Sequence, residues 1–265
     1  MLIYNVNVFT EEEKFVSGAV LVRGDRIEKV FTGSKVPEEI IAAQDEQMDG
    51  QGCYCFPGMI DLHFHGCKGY DFCDGTREAV EEIARYEASI GVTAIAPATM
   101  TLPVEELVRI LHNGAAFKAE QEQMKKDAAN ETDAELRAAK RAASASLADL
   151  LGINMEGPFI SPVKKGAQDA QYILACDADI CRRFQKAANG LVKFIGLAPE
   201  EVSREQAEQF IRDVHGEVSV SLAHTNADYD SAKAAFDAGA DHLVHMYNAM
   251  PPFTHRAPGV LGAAA

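Results

Sequence analysis

The run Pro57-Gly58-Met59-Ile60-Asp61-Leu62-His63-Phe64-His65-Gly66 constrains this chain more than any other feature of it. It is an apolar stretch that ends in two histidines one residue apart. In an extended strand, residues i and i+2 face the same side. A strand ending here therefore presents His63 and His65 together, and the pair can serve one metal ion if other donors converge on the same place. Glu156, His224 and His245 are the candidates, each at the end of a later apolar run (151–155, 218–223 and 242–245). Donors delivered from successive strand ends point to a parallel βα structure, which collects its functional groups at the C-terminal strand ends.

The rest of the pattern agrees. From residue 56 onward strand-like and helix-like segments alternate. The spacing predicts strands at 56–65, 92–97, 150–155, 192–197, 218–223 and 242–245, with helices at 77–90, 104–113, 177–188, 204–214 and 231–238. In the helix at 204–214, Ala207, Phe210, Ile211 and Val214 keep helical spacing. Six strands joined in this way make a parallel sheet with right-handed crossovers, either open or closed into a barrel. Residues 1–55 read differently. Short β-rich runs at 2–9, 18–22 and 26–31 alternate with turn signals at Arg23-Gly24-Asp25 and Thr32-Gly33-Ser34. This predicts a small β-domain at 1–55, followed by the larger domain at 56–265. Within the latter, 115–148 is rich in Ala, Glu, Lys and Gln and reads as an excursion of solvated helices. Thr132-Asp133-Ala134-Glu135 fits a capping box there, and Leu136, Ala139, Ala143, Leu147 and Leu150 mark one face of the helix that follows.

A formal net charge of −15 argues against nucleic acid or an anionic membrane surface as the main partner. An anionic substrate would need a local positive site. No window approaches the ~18 consecutive apolar residues of a membrane span. The N-terminus lacks the sections of a signal peptide, so a cytoplasmic location is expected. The six cysteines, at 53, 55, 67, 73, 176 and 181, form no Cys-x-x-Cys pattern, and reduced thiols are expected. Cys67 and Cys73 follow the His-x-His segment closely, within reach of the site.

A carboxylate and neutral imidazoles around an open position suit a hydrolytic divalent metal, which polarises a carbonyl and lowers the pKa of bound water to ~7. The 21 residues from His224 to His245 are close to one compact strand–helix–strand step. Zinc is the default for such N and O donors, with iron and other first-row metals also suited. Of the other histidines, His112 and His215 fall late in helices, His242 begins a strand and His255 lies in a loop.

Residues 57–66 resemble the first strand of the amidohydrolase superfamily. Asn154-Met155-Glu156-Gly157-Pro158-Phe159, Lys164-Lys165-Gly166-Ala167, Leu197-Ala198-Pro199-Glu200, Ala223-His224-Thr225-Asn226-Ala227 and His245-Met246-Tyr247-Asn248-Ala249-Met250 resemble, within it, the N-acetylglucosamine-6-phosphate deacetylase family. The resemblance implies a (β/α)8 TIM-like barrel with a small β-sandwich-like domain, and a homodimer or homotetramer. It implies release of acetate from N-acetylglucosamine 6-phosphate. Glu156, His224 and His245 match the ligands of the hydrolytic metal, and His63 and His65 match the pair that holds a second ion in some members. One or two divalent ions per subunit are thus implied. Ala167, Gln168, Asn248 and Ala249 match substrate contacts, and Arg256 matches the arginine that grips the phosphate, a role suited to a forked guanidinium. Gln168 departs from the pattern, because histidine is common there.

The family's barrel has eight strands, and six are legible here. The resemblance places the catalytic aspartate on strand eight, so it is expected beyond Ala265, and the chain is expected to be an N-terminal part of the enzyme that gathers ligands but turns over poorly. Two alternatives stand beside this reading. One is a cyclic-amide hydrolase of the dihydroorotase or hydantoinase type, which bridges two metals with a carboxylated lysine at the end of strand four; here that strand ends Gly196-Leu197-Ala198-Pro199-Glu200. The other is a non-catalytic protein that binds metal or sugar phosphate.

Overall fold

The computed structural model describes residues 1–24, 26–33, 36–44 and 46–265. Asp25 and Ser34, which belong to the two expected turns, lie outside the described residues. The chain divides into two compact units, Met1–Gly58 and Met59–Ala265.

The first unit is built on strands β1 (Leu2–Phe9), β2 (Phe15–Arg23), β3 (Arg26–Thr32), β4 (Gln47–Asp49) and β5 (Tyr54–Cys55), with a short helix α1 (Glu38–Ala42). They form one five-stranded sheet in the order β3-β2-β1-β4, with β5 also beside β1. The hairpin pairs β1 and β2 are antiparallel, whereas β4 and β5 run parallel to β1. Apolar residues fall into two buried groups, Leu2, Ala19 and Leu21 in one and Val6, Val8 and Val20 in the other.

The second unit carries the site. Its strands are β6 (Met59–Asp61), a small hairpin β7 (Gly66–Cys67) and β8 (Tyr70–Asp71), β9 (Val92–Ile95), β10 (Ala98–Thr99), β11 (Asp149–Leu150), β12 (Ile153–Phe159), β13 (Val192–Leu197), β14 (Ser219–Leu222) and β15 (His242–Leu243). Its helices are α2 (Arg77–Ser89), α3 (Val104–Asn130), α4 (Ala134–Ala145), α5 (Ala178–Ala187), α6 (Arg204–Val214), α7 (Tyr229–Ala238) and α8 (Gly259–Ala264). Strand β9 continues after a break as β10, and β11 as β12. The pairs β6·β9, β9·β11, β10·β12, β12·β13, β13·β14 and β14·β15 are all parallel. The result is six successive parallel strands in chain order, the arrangement of a TIM-type barrel wall.

The core lies between these strands and the helices that cross behind them. Val80, Ile83 and Ala84 of α2, Leu107, Ile110 and Leu111 of α3, Phe184 of α5 and Phe210 and Ile211 of α6 pack in one cluster with Ile95, Ile153, Ile195, Val220 and Leu222. The starts of α2, α5 and α6 are fixed by side-chain caps: Thr76 accepts from the Ala79 N–H, Asp177 from Ile180, and Ser203 forms a reciprocal box with Gln206. At the other end of α7, Gly239 adopts φ +119°, a C-terminal cap that costs a side-chain-bearing residue far more.

Three expectations are corrected. The helix beginning at Val104 does not stop near 113 but runs 27 residues to Asn130. The helix passes through Gly114, where it packs tightly: a Cβ there would meet Ile153 Cδ1 at 3.1 Å and the Phe72 ring at 3.2 Å. The cap of α4 is Asp133, not Thr132, with its carboxylate accepting the Leu136 N–H at 2.9 Å. Finally, the first strand is shorter than 56–65. It ends at Asp61, whose carboxylate accepts the His63 N–H at 3.0 Å, and the hairpin at Gly66 follows at once. Among the described residues no helix is long and apolar enough to cross a membrane.

Candidate metal centre

Every residue of β12 is buried, as befits a strand in the middle of a parallel sheet. Glu156 sits within this strand, not just after it, so its carboxylate is carried into the interior, where an ionised group persists only if it is paired. Four imidazoles pair it. His63 Nε2, His224 Nε2 and His245 Nε2 each lie 3.1 Å from Oε1, and His65 Nε2 lies 3.2 Å from Oε2.

His63 and His65 reach Glu156 from beyond the end of β6. Main-chain hydrogen bonds anchor this segment, with Phe64 O accepting the Ala98 N–H at 2.7 Å and His65 O accepting the Phe72 N–H at 2.8 Å. Both rings thus meet the same carboxylate although the segment that carries them is not a strand. His224 follows β14, and His245 lies two residues past the end of β15. Both take left-handed backbone conformations, φ +43° and +33°, as do Tyr247 at +77° and Ala249 at +52°. Non-glycine residues held in this region cost about 1–3 kcal/mol each, and such strain concentrates at functional sites.

The outer ring nitrogens decide what the cluster can hold. His224 Nδ1 lies 2.7 Å from Lys164 O, and His245 Nδ1 lies 3.0 Å from Asn248 O. A carbonyl only accepts, so each neutral ring carries its proton on Nδ1 and turns a bare Nε2 lone pair inward. The two Nε2 atoms are 3.1 Å apart and share Glu156 Oε1 as a neighbour. Two lone pairs and a carboxylate oxygen converging in this way call for a cation or a proton between them. The backbone carbonyls play the outer-sphere part usual for metal-binding histidines. Two three-donor groups share Glu156 among the described residues, His63–His65–Glu156 and Glu156–His224–His245, with the donor atoms of each group within 4.8 Å of one another.

The electrostatics follow from the same contacts. Burial alone would push the Glu156 carboxyl up, but the four imidazoles hold it well below the usual carboxylate range. In return, hydrogen bonding to Glu156 raises His65 and His245 against the opposing effect of burial. Cys73 is not poised to join. Burial pushes its thiol up to about 12, and its sulfur accepts the Met100 N–H at 3.1 Å.

The remaining candidates are spread around this centre. Ala167 is exposed on the loop after β12, and the backbone of its neighbour Gly166 passes close to His224, where a Cβ would stand 3.5 Å from Cε1. Asn248 and Ala249 lie on the strained loop after His245, with Ala249 O accepting the Thr225 N–H at 3.1 Å. Arg256 is exposed and lines a cleft of about 390 Å³ with Asn226, Asp228, Tyr229 and Thr254. Gln168 is buried, with its carboxamide between Glu156 and Thr101. Lys164 and Lys165 are half-buried and donate to the carbonyls of Met250 and Gln168. Sequence reasoning missed Asn154, whose amide nitrogen lies 3.2 Å from His63 Nδ1, and the carbonyl partners of His224 and His245. Backbone carbonyls leave no mark in a sequence.

In fold and in this cluster of histidines about a buried carboxylate, the chain is an amidohydrolase-type barrel protein. No family model matches the sequence. Pairwise comparison finds similarity along the whole chain to N-acetylglucosamine-6-phosphate deacetylases. It is 34% identical over 268 residues to that enzyme of Bacillus subtilis (strain 168), an alignment spanning 100% of this chain and 60% of the relative. It is 33% identical to that of Bos taurus, over 91% of this chain and 53% of the relative. Among solved structures, N-acetylglucosamine-6-phosphate deacetylase from Pasteurella multocida superposes with a TM-score of 0.75 at 26% identity, over 99% of this chain and 61% of that one. A mutant of the Mycobacterium smegmatis enzyme in complex with N-acetyl-D-glucosamine-6-phosphate gives the same TM-score and identity, over 99% and 60%. The chain thus spans about half to three-fifths of the length of the relatives it matches.

Proposed function

We propose that the protein to which this chain belongs removes the acetyl group from N-acetylglucosamine 6-phosphate, releasing glucosamine 6-phosphate and acetate. The observation that carries this reading is the convergence of two bare imidazole lone pairs, on His224 and His245, with the buried Glu156 carboxylate. Glu156, His224 and His245 would hold one divalent ion, zinc by default, and His63 and His65 would add a second position that shares Glu156. A divalent ion so placed supplies Lewis acidity toward an amide carbonyl and acidifies water.

The chain's own residues do the rest of the work assigned here. Lys164 O and Asn248 O hold the Nδ1 protons of His224 and His245 outward, which turns both Nε2 atoms toward Glu156. Arg256 grips the phosphate, and Ala167, Asn248 and Ala249 line the sugar's path from that grip to the metal position, so that the amide is oriented by contacts remote from it. Proton transfer is assigned to the family's aspartate, which the resemblance places on a later strand.

The cyclic-amide alternative has less support. Lys193 is exposed near the start of β13 and donates to Gly190 O at 3.2 Å, far along the strand from the end where a bridging lysine would be needed. One curated relative, 31% identical, is named N-acetylgalactosamine-6-phosphate deacetylase, so the epimer belongs in the assay. Full-length metal-loaded protein, given the 6-phosphates of both N-acetylhexosamines and unphosphorylated N-acetylglucosamine, tests the reading. Acetate from N-acetylglucosamine 6-phosphate at the highest kcat/KM supports it; preference for the unphosphorylated sugar contradicts it.

A further inference from the structure

We propose that Gln168 is a positioning residue for Glu156 and not a contact to the sugar, an inference that rests on Glu156 being a metal ligand. The resemblance marks position 168 as a substrate contact, and this chain departs there by carrying glutamine in place of histidine. The environment of the side chain explains what the glutamine does. A turn in which the Gln168 N–H donates to Lys165 O at 3.0 Å directs the side chain inward, where the residue is only 2% exposed. At one end of its carboxamide, Nε2 donates to Glu156 Oε2 at 2.5 Å. At the other, Oε1 accepts the Thr101 N–H at 2.5 Å. The amide cannot be reversed, because a flip would set its oxygen against a carboxylate and its nitrogen against another donor.

This arrangement has a geometric consequence. The terminal torsion of a glutamate is broad and roughly two-fold, so packing alone does not fix the plane of the carboxylate. Gln168 donates to Oε2, which His65 Nε2 also approaches at 3.2 Å, and so helps to fix that plane, while Thr101, just after β10, fixes Gln168. With Oε2 held, Oε1 is the oxygen presented to His63, His224 and His245, each 3.1 Å away. The second N–H of the carboxamide faces Met100 Sδ at 3.7 Å and the whole residue is only 2% exposed, so a sugar would have to displace packed contacts to reach it. Even the main chain is engaged, since Gln168 O accepts from Lys165 Nζ at 3.1 Å. Asn154 and the two carbonyls orient the imidazoles; Gln168 does the same for the shared carboxylate.

Zinc affinity separates positioning from substrate contact. Full-length protein stripped of metal is titrated with zinc against a competing indicator, as parent, Gln168→Met, Gln168→Asn and Gln168→His. Loss of an outer-sphere partner of a metal ligand typically costs about 10–100-fold in affinity, and Gln168→Met, which keeps the bulk but neither polar end, is expected to show that loss in its zinc Kd. Gln168→Asn, which keeps the amide but falls one methylene short, is expected to show it as well, and carries the test if the methionine variant does not fold. Gln168→His, able to donate one N–H to Glu156, is expected to recover most of the affinity. At saturating zinc the KM for N-acetylglucosamine 6-phosphate is expected to stay near the parent's in all three. An unchanged zinc Kd with a raised KM in the methionine or asparagine variant would overturn the proposal and leave Gln168 a substrate contact, with the metal reading intact. Failure of the parent itself to bind at least about half an equivalent of zinc would overturn the metal reading, and this proposal with it.

Discussion

Taking one ring out of the cluster tests the metal reading quantitatively. His224→Ala deletes the donor whose Nδ1 is tied to Lys164 O and whose Nε2 stands 3.1 Å from both Glu156 Oε1 and His245 Nε2. All five candidate ligands belong to the unit Met59–Ala265, so an ion that binds only the folded state stabilises that unit. At free zinc one hundred times the Kd, mass action gives about 2.7 kcal/mol. For a unit of roughly 200 residues each kcal/mol moves the melting temperature by about 2–4 °C, so zinc should raise it by roughly 5–11 °C. If losing His224 weakens the site about a hundredfold, the same zinc concentration merely equals the Kd, and the stabilisation falls to about 0.4 kcal/mol, roughly 1–2 °C. Calorimetric scans of stripped parent and variant, each with and without zinc, read the two shifts. His255→Ala removes an exposed histidine outside the cluster and should keep the full shift. A zinc-induced shift in His224→Ala equal to the parent's would refute the assignment.

Three further outcomes follow from particular residues. Phe159, 1% exposed and edge-on to Phe210 at 5.4 Å, should cost about 3–5 kcal/mol when replaced by alanine, measured by urea unfolding; a loss below about 1 kcal/mol would mean that the barrel wall collapses around the gap. Arg256→Ala should weaken binding of the phosphorylated sugar by about 1.5–3 kcal/mol, tenfold to more than a hundredfold, and leave the unphosphorylated sugar unchanged; equal losses for both would make Arg256 structural. Burial raises the Glu200 carboxyl despite the donors Thr225 and Asn226. Its folded form therefore holds a proton that the unfolded chain has already released, and stability from this group falls as pH rises above the ordinary carboxylate value near ~4.3. Relative to parent, Glu200→Gln should gain stability as pH rises through that window in chemical unfolding, and parallel curves would contradict the linkage.

The sequence made the βα rhythm legible because helices that pack on a sheet must keep a 3.6-residue apolar period. Residues 204–214 are helical as expected, with Ala207, Phe210, Ile211 and Val214 buried. Boundaries decided by tertiary contact were not legible. The helix expected at 104–113 runs on through Gly114, whose close approach to Phe72 and Ile153 accounts for a glycine inside it. The strand expected through His65 ends at Asp61 because that side chain caps the His63 N–H, a local hydrogen bond invisible to periodicity. For the cluster, residue type and strand-end position sufficed to nominate His63, His65, Glu156, His224 and His245, which the fold brings within hydrogen-bonding distance of one carboxylate. The two main-chain carbonyls behind His224 and His245 escaped notice because a sequence does not show them, whereas Gln168 was expected as a substrate contact and lies buried against Glu156.

The central claim is tested most directly by following acetate release from N-acetylglucosamine 6-phosphate by full-length protein, first as metal-loaded enzyme, then after chelation, then after zinc is restored. The account predicts acetate and glucosamine 6-phosphate in equal amounts, loss of both on chelation and recovery with zinc. Protein that holds an equivalent of metal at this cluster and releases no acetate would contradict it.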